Sequence, residues 1–405
     1  MSTITEHAAR ATIPRLTADE ALERTRALAP RLAARAQACE ELRRCPDETI
    51  AELHTGGLMR LMQPKHFGGS ELGAAAVLDV ALEMAKACPS TAWVWMNLAT
   101  HSWNIAQFEL RAQEDVWNTD PSALAATGLA FPCGKARPVE GGYIVTGKWP
   151  FGSGVDAAQW MLAGAMTDRG AAPPERRFFL VPRTDFRSLD NWRAYGLAGS
   201  GSHDVEVSEA FVPEHRSLAA DVFASGLDVP GGKVHANPIY RLPTFATFGF
   251  FLASVPVGAA SGALEQFVAA TRKRAGTYTG ARLAELTPLQ IRIGEAAACV
   301  DLAYTQLRAD LTELVGLVEG GVAPPVEAKL RWKRNLAFEV QLATRAVDTL
   351  MAASGAGGLY ATLPLQRLFR DVHAAAAHIA LTWDVQAAAY GQHALGLPLQ
   401  TGLLL

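Results

Sequence analysis

Acidic side chains are missing from one long stretch of this chain: none lies between Asp228 and Glu265, and from Leu242 to Leu264 there is no charge of either sign. A run of that length can cross a bilayer. This one contains Pro243, Thr244, Thr247, Ser254, Pro256 and Ser261 and lacks flanking Lys/Arg and aromatic asymmetry. The expectation is a helix buried in a bundle or a subunit interface, not a membrane span. Cysteines are few, and the five present (Cys39, Cys45, Cys88, Cys133 and Cys299) form no C-x-x-C pair and no zinc spacing. No metal site is expected, and an odd, scattered set points to reduced thiols and a cytoplasmic home. Met1 to Glu6 offers neither the basic nor the apolar region of a signal peptide. Also absent are a Walker loop, H-E-x-x-H, G-x-S-x-G and a G-x-G-x-x-G after a strand. Basic charge is scarce as well: the net charge is -3 and Arg272-Lys273-Arg274 is the one compact basic triplet. That excludes a nucleic-acid partner, which needs a clustered basic surface.

What remains is ample for a globular enzyme: 405 residues, 49% hydrophobic and 19% charged, enough for one large core or two to three packed subdomains. Thr17-Ala-Asp-Glu20 has the form of a capping box, and Leu22, Leu28 and Leu32 follow at helical spacing. Pro30 should kink or divide that helix. Pro46 opens a second helix and Gly56-Gly57 closes it. Further helices are expected over Ala74 to Lys86 and Thr91 to Phe108. The period then changes. Gly142 to Gly147 alternates between glycines, and Gln159 to Ala165, Arg177 to Val181 and Asp204 to Val207 read as further strands of an antiparallel β-domain. Helical pattern returns near Leu242. Thr287-Pro-Leu-Gln290 looks like a second capped start, Val326 to Ala353 a long helix, and Pro364 to Leu395 a last one. The expected class is α+β, mostly α: an N-terminal helical domain (1–124), a middle antiparallel β-domain (125–218) and a C-terminal four-helix bundle (219–405).

The order of elements and several local motifs resemble the acyl-CoA dehydrogenase superfamily. The motifs are Gly57-Leu-Met-Arg-Leu-Met-Gln-Pro-Lys-His-Phe-Gly-Gly69, Gly141 to Trp149, Gly196-Leu-Ala-Gly-Ser-Gly-Ser202, and Asp348 to Asp371. A narrower match, carried by Trp149-Pro-Phe-Gly-Ser153, His101, Arg370-Asp-Val-His-Ala-Ala-Ala-Ala-His378 and Tyr390, is similar to its flavin-dependent monooxygenase branch. Ala198 departs from that pattern, since relatives often have arginine there. Where thioester-oxidising members carry a catalytic carboxylate, this chain offers Ile379 beside His378, and the alternative position on the helix before Glu265 is vacant too.

The resemblance implies the oxygenase component of a two-component system. A separate NAD(P)H:flavin reductase would supply reduced flavin, FMNH2 before FADH2. Reaction with O2 through a C4a-hydroperoxyflavin would hydroxylate a small aromatic substrate, phenolic or polyketide- or indole-like. A homotetramer is what the fold implies. His378 would sit beside the flavin ring, where an imidazole can steer protons. Read alone, it is as well explained as a packed histidine on an alanine-rich helix. His373, five residues earlier on that helix, would point elsewhere and share no metal with it. Ser153 would hydrogen-bond flavin N5, with Trp149 and Phe151 flanking it. His101 would bind or deprotonate a phenol, with Trp93 and Trp95 lining an aromatic pocket. Arg272 or Arg274 would grip a phosphate, and Gly357 and Gly358 would let the backbone approach the cofactor, from the same or a neighbouring subunit. Rival readings are N- or S-oxygenation on the same scaffold, a true acyl-CoA dehydrogenase, and an inactive member of the fold.

Overall fold

Thr17 caps the first helix as its spacing predicts: its hydroxyl accepts from the Glu20 N–H, and the Glu20 carboxylate accepts from the Thr17 N–H at 2.8 Å. The computed structural model describes residues 13–170, 172–276, 280 and 282–399. Five helices come first: α1 (Ala18–Leu42), α2 (Asp47–Thr55), α3 (Ala74–Ala87), α4 (Pro89–Ile105) and α5 (Leu110–Trp117). Pro30 does not divide α1, which runs through it. The ring faces solvent, so water can take the carbonyl that loses its helical partner. Of the five, α4 lies deepest, with all seventeen residues buried.

Eight strands follow: β1 (Ala125–Gly128), β2 (Gly134–Val139), β3 (Gly142–Gly152), β4 (Trp160–Arg169), β5 (Ala172–Pro182), β6 (Phe186–Leu189), β7 (His203–Pro213) and β8 (Ser217–Ala219). They form one sheet in the order β6-β7-β3-β2-β4-β5-β8, with β1 beside β4. Antiparallel pairing dominates, but β1 and β2 both run parallel to β4. The expected antiparallel β-domain is present, and these two parallel contacts are additions to it. A hairpin joins β2 to β3, and β4 then returns along the other side of β2, which makes that contact parallel.

Two short helices, α6 (Ala220–Ser225) and α7 (Pro230–Val234), lead into the bundle of α8 (Thr244–Lys273), α9 (Thr287–Glu319), α10 (Val326–Ala353) and α11 (Pro364–Ala376), with α12 (Trp383–Ala394) packed on α10. The uncharged stretch forms most of α8. Among the described residues it is the one helix long and apolar enough to cross a membrane, and 83% of its apolar window is buried within the protein. Two sequence expectations fail in this half. Thr287 does not cap α9: the cap position is Leu286, no side chain caps it, and Gln290 donates instead to the Ala284 carbonyl. The last helix is not continuous. It ends at Ala376, and a turn of 3-10 helix over Ile379–Leu381 separates it from α12. His378 stands at that break, with extended backbone (φ -65°, ψ 132°), and its Nδ1 accepts from the Ala380 N–H at 3.2 Å. The imidazole thereby takes up a backbone donor that the interrupted helix frees.

Candidate active site

The buried helix α4 presents its functional side chains toward the β-domain. Trp93 donates its indole N–H to Ser153 Oγ at 3.0 Å. Ser153 lies 2.8 Å from Ser202 Oγ, and Ser202 lies 2.7 Å from Ser200 Oγ. All three serines are buried. If Ser200 donates to Ser202 and Ser202 to Ser153, the Ser153 proton remains free to point outward. Sequence reasoning picked out Ser153 and missed Ser200 and Ser202. The signal was available, because both lie in the Gly196–Ser202 motif.

That motif is held by close backbone approach. A Cβ on Gly196 would lie 2.2 Å from the Arg370 carbonyl oxygen, and one on Gly199 would lie 2.4 Å from Cys39 Sγ. No larger residue fits without moving the loop. The Arg370-Asp371 pair, prominent in the sequence, fastens the same loop. Asp371 Oδ1 accepts from the Leu197 N–H at 2.6 Å, while Arg370 donates to the Tyr195 carbonyl at 2.6 Å and pairs with Glu40. Burial pushes the Asp371 carboxyl up to about 7.

His378 reaches the same place from α11. Its ring meets Trp93 edge-on, with centroids 5.9 Å apart. Trp93, Ser153 and His378 are therefore brought together. With Nδ1 accepting from Ala380, the neutral ring carries its proton on Nε2. Burial lowers the His378 pKa to about 4. Ile379 beside it is exposed, so no carboxylate occupies that position. His373 points elsewhere, as expected, and its Nε2 lies 2.8 Å from Asp348 Oδ1. The helical rotation used to separate the two histidines does not apply, since His378 has left the helix.

Farther along α4, by about 12 Å at 1.5 Å per residue, stands His101. It is 1% exposed, and its Nδ1 lies 2.8 Å from the Ala125 carbonyl oxygen, so Nδ1 carries the proton. Its Nε2 is buried and has no hydrogen-bond partner among the described residues. Phe248 of α8 stacks on the ring, with centroids 5.7 Å apart and planes at 18°. Desolvation, opposed in part by the Ala125 hydrogen bond, lowers the His101 pKa to about 4. Near neutral pH this is a neutral imidazole whose lone pair is desolvated and unused. Such an atom can accept a proton or a hydrogen bond from a hydroxyl.

Other expected residues are distributed differently. Trp95 is fully buried and donates to the Leu58 carbonyl at 3.0 Å, on the far side of α4 from Trp93. Trp149 lies in the β-domain interior and donates to the Gly164 carbonyl at 2.7 Å, so its indole is not brought to the site. Phe151 is 69% exposed, in a left-handed conformation (φ 64°), with its ring edge-on to Trp192. Holding a non-glycine residue there costs on the order of 1 kcal/mol. Arg274 lies against Gly357, with Nη2 2.9 Å from where a Cβ on that glycine would sit. Arg272 is exposed in the last turn of α8. Gly358 is buried, and its place beside Ser354 Oγ leaves no room for a side chain. Tyr390 lies under the Arg334 guanidinium at 4.1 Å. In sequence Gly357 comes before α11 and His378 after it, and that helix of 13 residues is roughly 20 Å long.

The donor set fits a flavin: a buried serine hydroxyl and an imidazole on one indole, an exposed aromatic ring, and a guanidinium against a glycine loop. Among the described residues no group of histidine, cysteine, aspartate or glutamate could hold a metal ion.

The chain resembles known proteins over most of its length. The chain matches the model of the acyl-CoA dehydrogenase N-terminal domain over residues 18–118 and that of the C-terminal domain over residues 250–383. It is 35% identical to the flavin-dependent monooxygenase oxygenase subunit HsaA of Rhodococcus jostii (strain RHA1), over 93% of this chain and 99% of that one. It is 36% identical to the oxygenase component of the FADH(2)-dependent resorcinol hydroxylase of Rhizobium sp. (strain MTP-10005), over 89% and 90%. The crystal structure of 3-HSA hydroxylase from Rhodococcus sp. RHA1 superposes with a TM-score of 0.90 at 34% identity, covering 95% of this chain and 99% of that one.

Proposed function

The chain belongs to the flavin-dependent monooxygenase branch of the acyl-CoA dehydrogenase family, and from that premise we propose that it hydroxylates a phenol. It is the oxygenase component of a two-component aromatic hydroxylase, which uses reduced flavin from a separate reductase. The observation that carries the phenolic reading is His101 Nε2, buried, unprotonated and without a partner. A phenol hydroxyl directed at that atom gains a hydrogen bond that the folded protein otherwise lacks. That hydrogen bond polarises the hydroxyl and makes the ring more electron-rich, while burial keeps the imidazole itself neutral. When bound, reduced flavin supplies activated oxygen, which an electron-rich ring attacks.

The chain's own residues would then do four things. Ser153, backed by Ser202 and Ser200, would donate to the flavin ring. Neutral His378 would hold a proton on Nε2 at its side. Trp93 would orient Ser153 and His378 together. Arg274 and the Gly357–Gly358 backbone would hold a flavin phosphate, of the same or a neighbouring subunit in a homotetramer. The relative above that names its flavin uses FADH2, which favours FADH2 over the FMNH2 expected from sequence.

The test is to mix the protein with enzymatically reduced FAD or FMN, oxygen and a panel of phenols and indoles. The expected outcome is a hydroxylated phenol and no dye reduction with acyl-CoA thioesters. Thioester-dependent dye reduction without any hydroxylated product would overturn the reading. Hydroxylation of an indole but of no phenol would remove the role assigned to His101.

A further inference from the structure

The Gly57–Gly69 motif takes no part in the chemistry above, yet it builds a second site. It forms two turns of 3-10 helix, Leu58–Arg60 and Lys65–Phe67. Together with the end of α5 these wall a cleft of about 760 Å³. Two arginines line it, Arg15 and Arg60, together with His66, Phe67, Trp117 and Asn118; no carboxylate is among its described lining residues. The Phe67 and Trp117 rings pack at 5.1 Å and make an aromatic floor.

Arg60 is the unusual member. It is only 7% exposed, and among the described residues its side chain makes neither a hydrogen bond nor an ion pair. Its Nε is fully buried without a partner. Nη1 lies 3.2 Å from where a Cβ on Gly68, another lining residue, would sit. A buried guanidinium is ordinarily paired, because taking it from water without a counter-charge is costly. The carboxylate whose field reaches it is Asp120, whose Oδ1 already accepts from the Ser122 N–H at 3.0 Å and the Ser122 hydroxyl at 2.8 Å. Arg15 adds like charge and donates to the Lys65 carbonyl at 2.7 Å. Desolvation lowers the Arg60 pKa from its ordinary value, so the site disfavours its own cation until an anion arrives.

We propose that this cleft binds a small aromatic carboxylate, clamped by the Arg60 guanidinium and seated on Phe67 and Trp117. A guanidinium presents parallel N–H donors that match a carboxylate, and the ring packs on the aromatic floor. The site lies apart from the flavin chemistry but touches its scaffold. Trp117 donates to the Ala123 carbonyl at 3.3 Å, and two residues later the Ala125 carbonyl holds His101. The inference rests on Arg60 and its surroundings and is independent of the hydroxylase reading.

Calorimetric titration of the full chain with benzoate and with benzyl alcohol, at low salt, tests it. Benzoate should bind saturably and benzyl alcohol at least tenfold more weakly. Arg60→Met should lose benzoate affinity by at least tenfold, and its melting temperature without ligand should equal or exceed that of the wild type, since an unpaired buried charge has been removed. Arg60→Lys should bind with intermediate affinity. The proposal is overturned if the wild type does not bind benzoate or if Arg60→Met binds it equally. It is also overturned if Arg60→Met melts lower or fails to fold, because Arg60 then serves the fold itself.

Discussion

His101 concentrates the argument at the scale of single residues. Sequence alone offered a histidine among tryptophans on a helix, and a core histidine would look the same there. The structure bears on that choice through one atom: among the described residues Nδ1 is satisfied by Ala125 while Nε2 has no protein partner, and the proposed role rests on that atom. The low pKa has a consequence for stability. The folded state holds His101 at about 4, below the ordinary histidine value of 6.5, so the unfolded chain binds the proton first as pH falls. The His101 contribution to stability is complete above pH 6.5 and is lost between there and pH 4, by roughly 3 kcal/mol, in a window where buried His378 adds a fall of the same sign. Urea unfolding should show a falling midpoint over that window, and His101→Phe should flatten the fall. An unchanged acid slope in the variant would show that His101 is not the group responsible.

Elements were more legible than their details. The ends of α2 followed from Pro46 and Gly56, and α10 coincides with the span expected from sequence. The break between α11 and α12 was not legible, because four consecutive alanines, Ala374 to Ala377, favour helix right up to it. A side-chain cap by His378 and the packing of Leu381 decide it, and tertiary context overrides propensity. The bundle carries another feature that periodicity hides. Glu339 of α10 is 1% exposed, and both carboxylate oxygens lack partners. Burial, with Asp310 adding like charge, raises its pKa to about 9. It is therefore neutral in the folded protein near pH 7 and ionised in the unfolded one, so the Glu339 contribution is complete below pH 4.5 and declines as pH rises to 9. Replacing it by methionine should stabilise the protein by about 1–3 kcal/mol at pH 8 and by less at pH 5. Thermal unfolding at the two pH values gives the comparison. A loss of stability at both would mean that the carboxyl has an internal partner.

For the molecule as a whole, the order of helices, strands and helices was readable from changes of period, and the sheet's parallel contacts were not, since pairing direction leaves no mark on alternation. Long-range placement was the least accessible to sequence. Nothing in the chain announces that Trp93 joins Ser153 to His378, or that the Arg370-Asp371 pair works by fastening the serine loop. Leu359, Tyr360 and Leu363, close in sequence to Gly357, are exposed and make an apolar patch that their positions in the chain do not announce. What this arrangement accomplishes is read in how the enzyme divides oxygen between product and peroxide. The decisive measurement is the ratio of hydroxylated phenol to hydrogen peroxide with reduced FAD, compared between wild type and His101→Phe. The account predicts that the variant consumes oxygen at a similar rate while the ratio falls at least tenfold; a ratio equal to that of the wild type would contradict it.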